Sequence, residues 1–380
     1  MDTYRILLAV VISFVILVGY QYFFVDSLPQ PVVTEQTAPV TAPPAATQSA
    51  QLTAPQQESL QPSVAPARVA RDIAVDTELY SAVITENGGA IKSFILKGYK
   101  ETRDKNSAGV QLVNTTEQEG YPLTFSWGGV AAGNTFYSAD NDKVEFSGAA
   151  TTSTLTMKGA SESGLELERT YSFDRNTYLM KLVFRIKNTS ANTLQGSAFL
   201  HQVNQPFVES TTGSMIALFS GPALFIDGQR QEFASKELLA GPKTVQGKID
   251  WAAYDSTYFM CAIVPENDSD TSVTMQQDDN LVTMQVGSAL DVLQPGQEKI
   301  YSYQAYFGPK KLSLLEKTGY NLDQAVNFGW FDIMAKPTLW LLNFFNTYVK
   351  NYGIAIILVT IPFQLAFWPI APTGLKLSLL

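Results

Sequence analysis

A chain of 380 residues is long enough for one large or two modest domains, so burying a core is not the difficulty. Its formal net charge of −9 argues against nucleic acid as a partner, because a phosphate-binding surface needs a basic excess or a clustered basic stripe. One cysteine, Cys261, and one histidine, His201, rule out an intrachain disulfide and a Cys/His zinc site, and no glycine-rich phosphate loop, GxSxG elbow or HExxH stands in the chain, so no cofactor is implied.

From Tyr4 to Phe24 the sequence carries no charge beyond Arg5 until Asp26. About 20 apolar residues suffice to cross the hydrocarbon core as a helix. Tyr4, Tyr20 and Tyr22 lie near the ends of the run, where amphipathic rings prefer the headgroup layer. The competing reading is a cleaved signal peptide, but the run is long and no small-x-small site closely follows Gly19. Residues 1–25 are therefore expected to form an anchor. Arg5 precedes it, whereas Asp26 and Glu35 follow, with no further basic residue until Arg68, which places the N-terminus in the cytoplasm.

Residues 26–70 form a different polymer. Pro29 to Pro66 holds eight of the 19 prolines among Ala, Thr, Gln and Ser, and it has no aromatic residue to seed a core. Such a stretch cannot bury enough apolar surface to offset its ordering entropy, and a disordered tether is expected.

Residues 71–308 change to short alternating segments punctuated by turns. In Tyr178–Lys187, Leu179, Lys181, Val183, Arg185 and Lys187 fall on one face and Tyr178, Met180, Leu182, Phe184 and Ile186 on the other, the period of a half-buried strand. Many such strands, separated by Asn-Gly and Asp-Gly turns and with little predicted helix, indicate a mainly β, antiparallel sandwich.

Residues 309–351 turn helical. In AKPTLWLLNFFNTYVKN, Leu341, Phe344, Phe345 and Tyr348 recur at i, i+3, i+4 and i+7, with Trp340 beside them, while Lys336, Asn343, Thr347 and Lys350 occupy another stripe; Pro337 suits a first helical turn. The aromatic-rich face beside an apolar run favours a helix lying in the membrane interface. Residues 352–371 follow, uncharged from Tyr352 to Ile370 and just long enough to span. Inside this run stand Thr360, Pro362 and Gln364. Polar side chains at membrane depth face protein or a wet cavity, since facing lipid leaves them unsatisfied. Thr360 and Gln364, four apart, share a helical face, and Pro362 is expected to kink the helix.

The segment FGWFDIMAKPTLWLLNFFNTYVKNYGIAIILVT, residues 328–360, resembles the junction between the periplasmic domain and the membrane core of the YidC/Oxa/Alb family of membrane protein insertases, of the Gram-negative YidC type. YFGPKK at 306–311, LERTYSFDRNTYLMKLVFRIKNTS at 167–190, NGGAIKSFIL at 87–96 and an anchor followed by a proline-rich linker extend the resemblance from Met1 to about Trp368. It implies a multi-pass protein of the bacterial inner membrane that helps nascent membrane proteins insert and fold, alone or beside the Sec translocon. It further implies a periplasmic β-supersandwich similar in fold to galactose mutarotase, the lipid bilayer as a partner, and no covalent chemistry. The physical logic is a polar, water-accessible groove that shelters hydrophilic parts of a substrate on their way into the apolar core. The resemblance gives groove-lining roles to Thr360 and Gln364.

Two departures stand out. The family usually carries a basic residue, most often Arg, four positions after the threonine matching Thr360, and this chain has Gln364. Where the family continues into a basic cytoplasmic hairpin and the rest of a five-helix core, this chain reads APTGLKLSLL, with residues 372–380 as a divergent cytoplasmic end. A fragment, a frame error and a genuine degenerate copy all fit that ending, and insertase activity by the chain alone is not expected.

Within the sandwich, His201 and Glu209 are the only pair that could mimic the acid and base of a mutarotase, and a lone histidine near a strand end is ordinarily a hydrogen-bonding residue. Trp127 and Trp251 could line a peptide or sugar groove, although aromatic residues in a sandwich are core by default. The alternative to an insertase is thus a membrane-tethered periplasmic peptide- or carbohydrate-binding module. It leaves the interfacial helix and the polar second span unexplained.

Overall fold

The computed structural model describes residues 69–367 apart from 103, 105, 129–134, 147, 162–163, 207–218, 267–270 and 327–331. The expected anchor, all of the expected tether except residues 69–70, and the divergent end at 372–380 lie outside the described residues.

The strand Leu179–Asn188 shows why this sequence makes sheets. Met180, Leu182, Phe184 and Ile186 are buried while Lys181, Arg185 and Lys187 are exposed, the period-two face read from the sequence. It pairs antiparallel along its length with Leu165–Asp174 on one side and Glu298–Pro309 on the other. These three strands are the middle of a nine-stranded sheet. Beyond Glu298–Pro309 come Phe259–Pro265, Ile249–Asp255, Gly221–Ile226 and Gln229–Glu232, and beyond Leu165–Asp174 come Thr152–Ala160 and Tyr137–Ala139. The hairpin joining Gly221–Ile226 to Gln229–Glu232 turns on Asp227 (φ 51°) and Gly228 (φ 73°), the left-handed pair that a two-residue hairpin matched to strand twist requires.

Two five-stranded sheets lie against this layer. One contains Asp72–Asp76, Tyr80–Thr85 and Ile91–Lys100 with two short strands, and the other Lys243–Gly247, Thr271–Asp278, Leu281–Gly287, Ala198–Asn204 and Thr124–Trp127. Pairing among the described strands is antiparallel except where Asp72–Asp76 meets Lys143–Val144. Aromatic side chains join the layers: Phe125 stacks on Phe184 at 4.1 Å, Phe94 meets Phe307 edge-on at 5.5 Å, and the Trp127 indole donates to the Tyr301 hydroxyl at 2.9 Å. Such ring pairs contribute about 0.5–1.5 kcal/mol each beyond their area. The result is one continuous sandwich core.

A fully buried arginine fixes the layers in register. Arg169 occupies an inward slot of Leu165–Asp174, where an uncompensated guanidinium would be costly. It donates to the carbonyls of Leu123 (2.6 Å) and Gly88 (3.3 Å) and to the Tyr171 hydroxyl, which in turn donates to the carbonyl of Gly89 at 2.8 Å. The rings of Tyr171 and Phe184 lie 4.4 and 4.8 Å from its guanidinium carbon. Gly89 must be glycine here, because its φ is +62° and a Cβ would sit 3.1 Å from Arg169 Cδ. The Asn87–Gly89 turn of one sheet is thereby pinned to the other.

Helix is sparse in the sandwich. Among the described residues it is limited to α1, Ser235–Leu239, until α2, Leu312–Thr318, follows the last strand. The core does not stop at Gly308, the limit that the strand pattern suggests. Leu315 of α2 and Leu322 and Ala325 of the following 3₁₀ turn are buried in it, and Trp251 donates its indole N–H to the carbonyl of Asn321 at 2.9 Å. Asp255, fully buried, sits between Arg230 (2.6 Å) and Lys310 (2.7 Å), and Lys310 also donates to the Ser256 carbonyl at 2.9 Å. Burial pushes the Asp255 carboxyl up, and the two cations oppose it. The domain thus closes with the first part of the stretch that the sequence reads as a helical junction. Two longer helices complete the described chain: α3, Asp332–Val349, and α4, Tyr352–Phe367.

Candidate functional site

The link between α3 and α4 is two residues long. Lys350 ends α3 in the left-handed region (φ 50°), with its N–H on the carbonyl of Asn346 at 2.8 Å. Asn351 then caps α4, its Oδ1 accepting from Gly353 N (2.9 Å) and Ile354 N (3.3 Å). So short a connection folds α4 back along α3 as a helical hairpin. On α4 the buried residues are Ala355 and Val359, one turn apart, and their small size lets the helices approach.

Between the helices lies a cleft of about 550 Å³ lined by Thr338 and Leu342 of α3 and by Ile356, Val359, Thr360, Phe363 and Gln364 of α4. Thr360 and Gln364 are therefore brought together on one apolar-walled cavity. The Thr360 hydroxyl donates to the carbonyl of Ile357 at 2.6 Å, which satisfies it within its own helix. Pro362 lies within α4, which continues through it to Phe367. Pro337 stands in the second turn of α3 rather than the first, because the helix already begins at Asp332.

The aromatic stripe of α3 divides differently from the pattern read in the sequence. Trp340 (65% exposed), Phe344 and Tyr348 (75%) form a ladder on the open face, with ring centroids 5.6 and 5.2 Å apart, while Leu341 and Phe345 are half-buried. The reason is that α4 covers the side of α3 bearing Leu342. Among the described residues no helix is long and apolar enough to cross a membrane. The 16 residues of α4 reach about 24 Å at 1.5 Å per residue, against a hydrocarbon core of about 30 Å. The remainder of 352–371 lies outside the described residues.

A second cleft, of about 450 Å³, opens on the sandwich beside His201 and is edged by Asn87, Glu117, Glu119, Tyr121 and Gln285. His201 Nε2 is 2.8 Å from Ser126 Oγ, and burial pulls its pKa down to about 4, so it is neutral at pH 7. Among the described residues no carboxylate is hydrogen-bonded to it, and Glu209 lies outside the described residues. Trp127 and Trp251 line neither cleft. Both are buried, with their indole N–H groups engaged on Tyr301 and Asn321. Arg169 and Asp255 were not singled out in the sequence. The signal for Arg169 was present, as a basic residue on the inward phase of LELERTYSF, but Asp255 acquires its partners from positions 25 residues before and 55 after it (255 − 230 and 310 − 255).

Comparison with known proteins decides the family. Residues 72–341 match the family described as the YidC periplasmic domain. The membrane protein insertase YidC of Syntrophus aciditrophicus is 31% identical over 392 residues, covering 98% of this chain and 71% of that protein. That of Maridesulfovibrio salexigens is 33% identical over 387 residues, covering 99% and 69%. The chain belongs to the YidC membrane protein insertase family. Its sandwich, one end of which runs through α2 into the helical hairpin, is the YidC periplasmic domain, and the match reaches Leu341 within α3. Among solved structures the chain is similar to a galactose mutarotase-like protein from Lactobacillus casei, with 12% identity and a TM-score of 0.43 over 62% of this chain and 99% of that one.

Proposed function

We propose that this protein works in membrane protein insertion in the inner membrane, with the α3–α4 hairpin supplying one wall of the path that a nascent membrane segment follows. The observation that carries this reading is the cleft in which Thr360 and Gln364 face the side chains of α3. An apolar cavity holding one amide and one hydroxyl can receive an apolar segment while offering hydrogen bonds to the polar groups it drags along. In this reading residues 1–25 anchor the chain with its N-terminus in the cytoplasm, 26–70 tether the periplasmic domain, α3 lies in the interface, and 352–371 form the second span. Pro362 kinks that span, and the Sec translocon is a neighbour. The role is that of a chaperone, without covalent chemistry.

The test is a photo-crosslinking residue placed at Gln364 or Thr360 in a chain whose residues 1–368 are joined to the remaining core of a functional relative. A ribosome-bound nascent membrane segment should crosslink from both positions and not from Lys187 on the sandwich. Equal yields from all three would remove the cleft from the path. A second reading, a peptide- or carbohydrate-binding role for the periplasmic domain, rests on the His201 cleft. It requires that ligands perturb the His201 ring signals in an NMR titration.

A further inference from the structure

Three polar side chains border the cleft between α3 and α4: Thr338, Thr360 and Gln364. Two of them are engaged within their own helices. The Thr338 hydroxyl donates to the carbonyl of Met334 and the Thr360 hydroxyl to that of Ile357, both at 2.6 Å. The Gln364 amide has no partner among the described residues, and it offers N–H donors and a carbonyl acceptor to whatever enters the cleft. The rest of the wall is Leu342, Ile356, Val359 and Phe363, so no ionisable group lines this cleft. A charged side chain entering it would be left without a counter-charge, whereas an uncharged amide would meet its own complement.

Position adds a second constraint. Gln364 stands twelve residues beyond Tyr352, the first residue of α4 (364 − 352), which is roughly 18 Å along the helix at 1.5 Å per residue. Measured against a hydrocarbon core of about 30 Å, that is near mid-depth, where a polar group has the fewest other partners.

We propose that the cleft selects nascent membrane segments that carry one uncharged amide, Asn or Gln, near the middle of an otherwise apolar run, and that the selection is made by reciprocal hydrogen bonds with Gln364. This rests on the reading of the hairpin as one wall of the insertion path and names what that wall prefers. Leu342, Ile356 and Phe363 hold the apolar flanks of the segment, and Gln364 reads its polar group.

The experiment uses the full chain in detergent micelles, with p-benzoylphenylalanine in place of Phe363, and synthetic helices of about 20 residues of Leu and Ala. Their middle residue is Leu, Gln or Asp, and a fourth helix carries its Gln near one end. Crosslinking yield is read against peptide concentration at about pH 8, where Asp is ionised. The all-apolar helix should crosslink from position 363 and not from the same group at Ile361, which is exposed and outside the cleft. Equal yields from the two positions would remove the insertion path from this cleft, and the proposal with it. Where that difference holds, the central-Gln helix should reach half-maximal yield at about fivefold lower concentration than the Leu, Asp or end-Gln helices. Gln364→Leu should abolish that advantage without altering the yield of the all-apolar helix. No advantage for central Gln, an equal one for Asp or end-Gln, or an advantage that survives Gln364→Leu would each overturn the proposal while leaving the path in place.

Discussion

The place where the periplasmic domain ends can be tested by truncation, and the structure gives the size of the effect. A segment of residues 71–308 contains the expected strands yet lacks Leu315 and Leu322, both fully buried. Burying a leucine contributes about 1.5–3 kcal/mol, so their absence removes about 3–6 kcal/mol. The shorter segment also lacks Lys310, leaving Asp255 with Arg230 alone in a buried site, and breaking a buried ion pair costs about 3–5 kcal/mol. Trp251 loses the Asn321 carbonyl as well. Domains of this kind are stable by only about 5–15 kcal/mol in total. Residues 71–326 should therefore unfold cooperatively in urea, with a β-dominated far-UV spectrum that a chelator leaves unchanged, whereas residues 71–308 should be largely unfolded without denaturant. Tryptophan fluorescence and circular dichroism would follow both. Equal urea midpoints for the two segments would refute the assignment of α2 and the 3₁₀ turn to the core.

Three further outcomes are expected. His201, held near pKa 4 in the fold against about 6.5 unfolded, contributes stability that is complete above pH 6.5 and lost as pH falls towards 4, up to about 3 kcal/mol; urea midpoints of His201→Asn should decline less than those of the unmodified domain across that window, and parallel curves would contradict the burial argument. Gln364→Arg, in residues 1–368 joined to the core of a relative, should raise rescue of depleted cells at equal protein levels, since a guanidinium adds a long-range charge at a cost of about 2.5–3.5 kcal/mol at membrane depth; equal rescue would make the charge dispensable. A cysteine placed at Ser49 should react with an impermeant reagent in intact spheroplasts and one at Ser378 should not, and the reverse result would invert the topology.

The sheets were legible because period-two burial is a local property. The inward set Met180, Leu182, Phe184 and Ile186 needs no knowledge of what it packs against. What escaped was set by distant partners. Lys310 and Asn321 lie in the stretch that the sequence reads as a helical junction beyond the sandwich, and only the folded chain shows that Asp255 and Trp251 pair with them. The α3 helix was legible as a helix, but which of its apolar residues face outward depended on where α4 lands. Thr360 and Gln364 were legible as a pair from their spacing, whereas their cavity requires Thr338 and Leu342, which precede them by roughly one helix and a turn.

The distribution of exposed apolar groups bears on which end of the protein meets lipid. On the open face of α3 stand Trp340, Phe344 and Tyr348, and on α4 stand Ile354, Ile356, Ile357, Ile361 and Leu365, whereas those of the sandwich, such as Leu239, Tyr258, Leu290, Val292 and Ile300, are spread over several elements. A contiguous surface of this kind is a liability in water and ordinary in a bilayer. α3 is amphipathic and α4 is apolar nearly all round. A polar group on the second kind of helix must be satisfied internally or must serve a ligand. Thr360 is satisfied by Ile357, but among the described residues the Gln364 amide has no protein partner, although it borders the cleft. The polar demand of this helix therefore falls on one side chain. In the proposed role of the hairpin, that is why substitution at residue 364, rather than at Thr360, is expected to change what it receives.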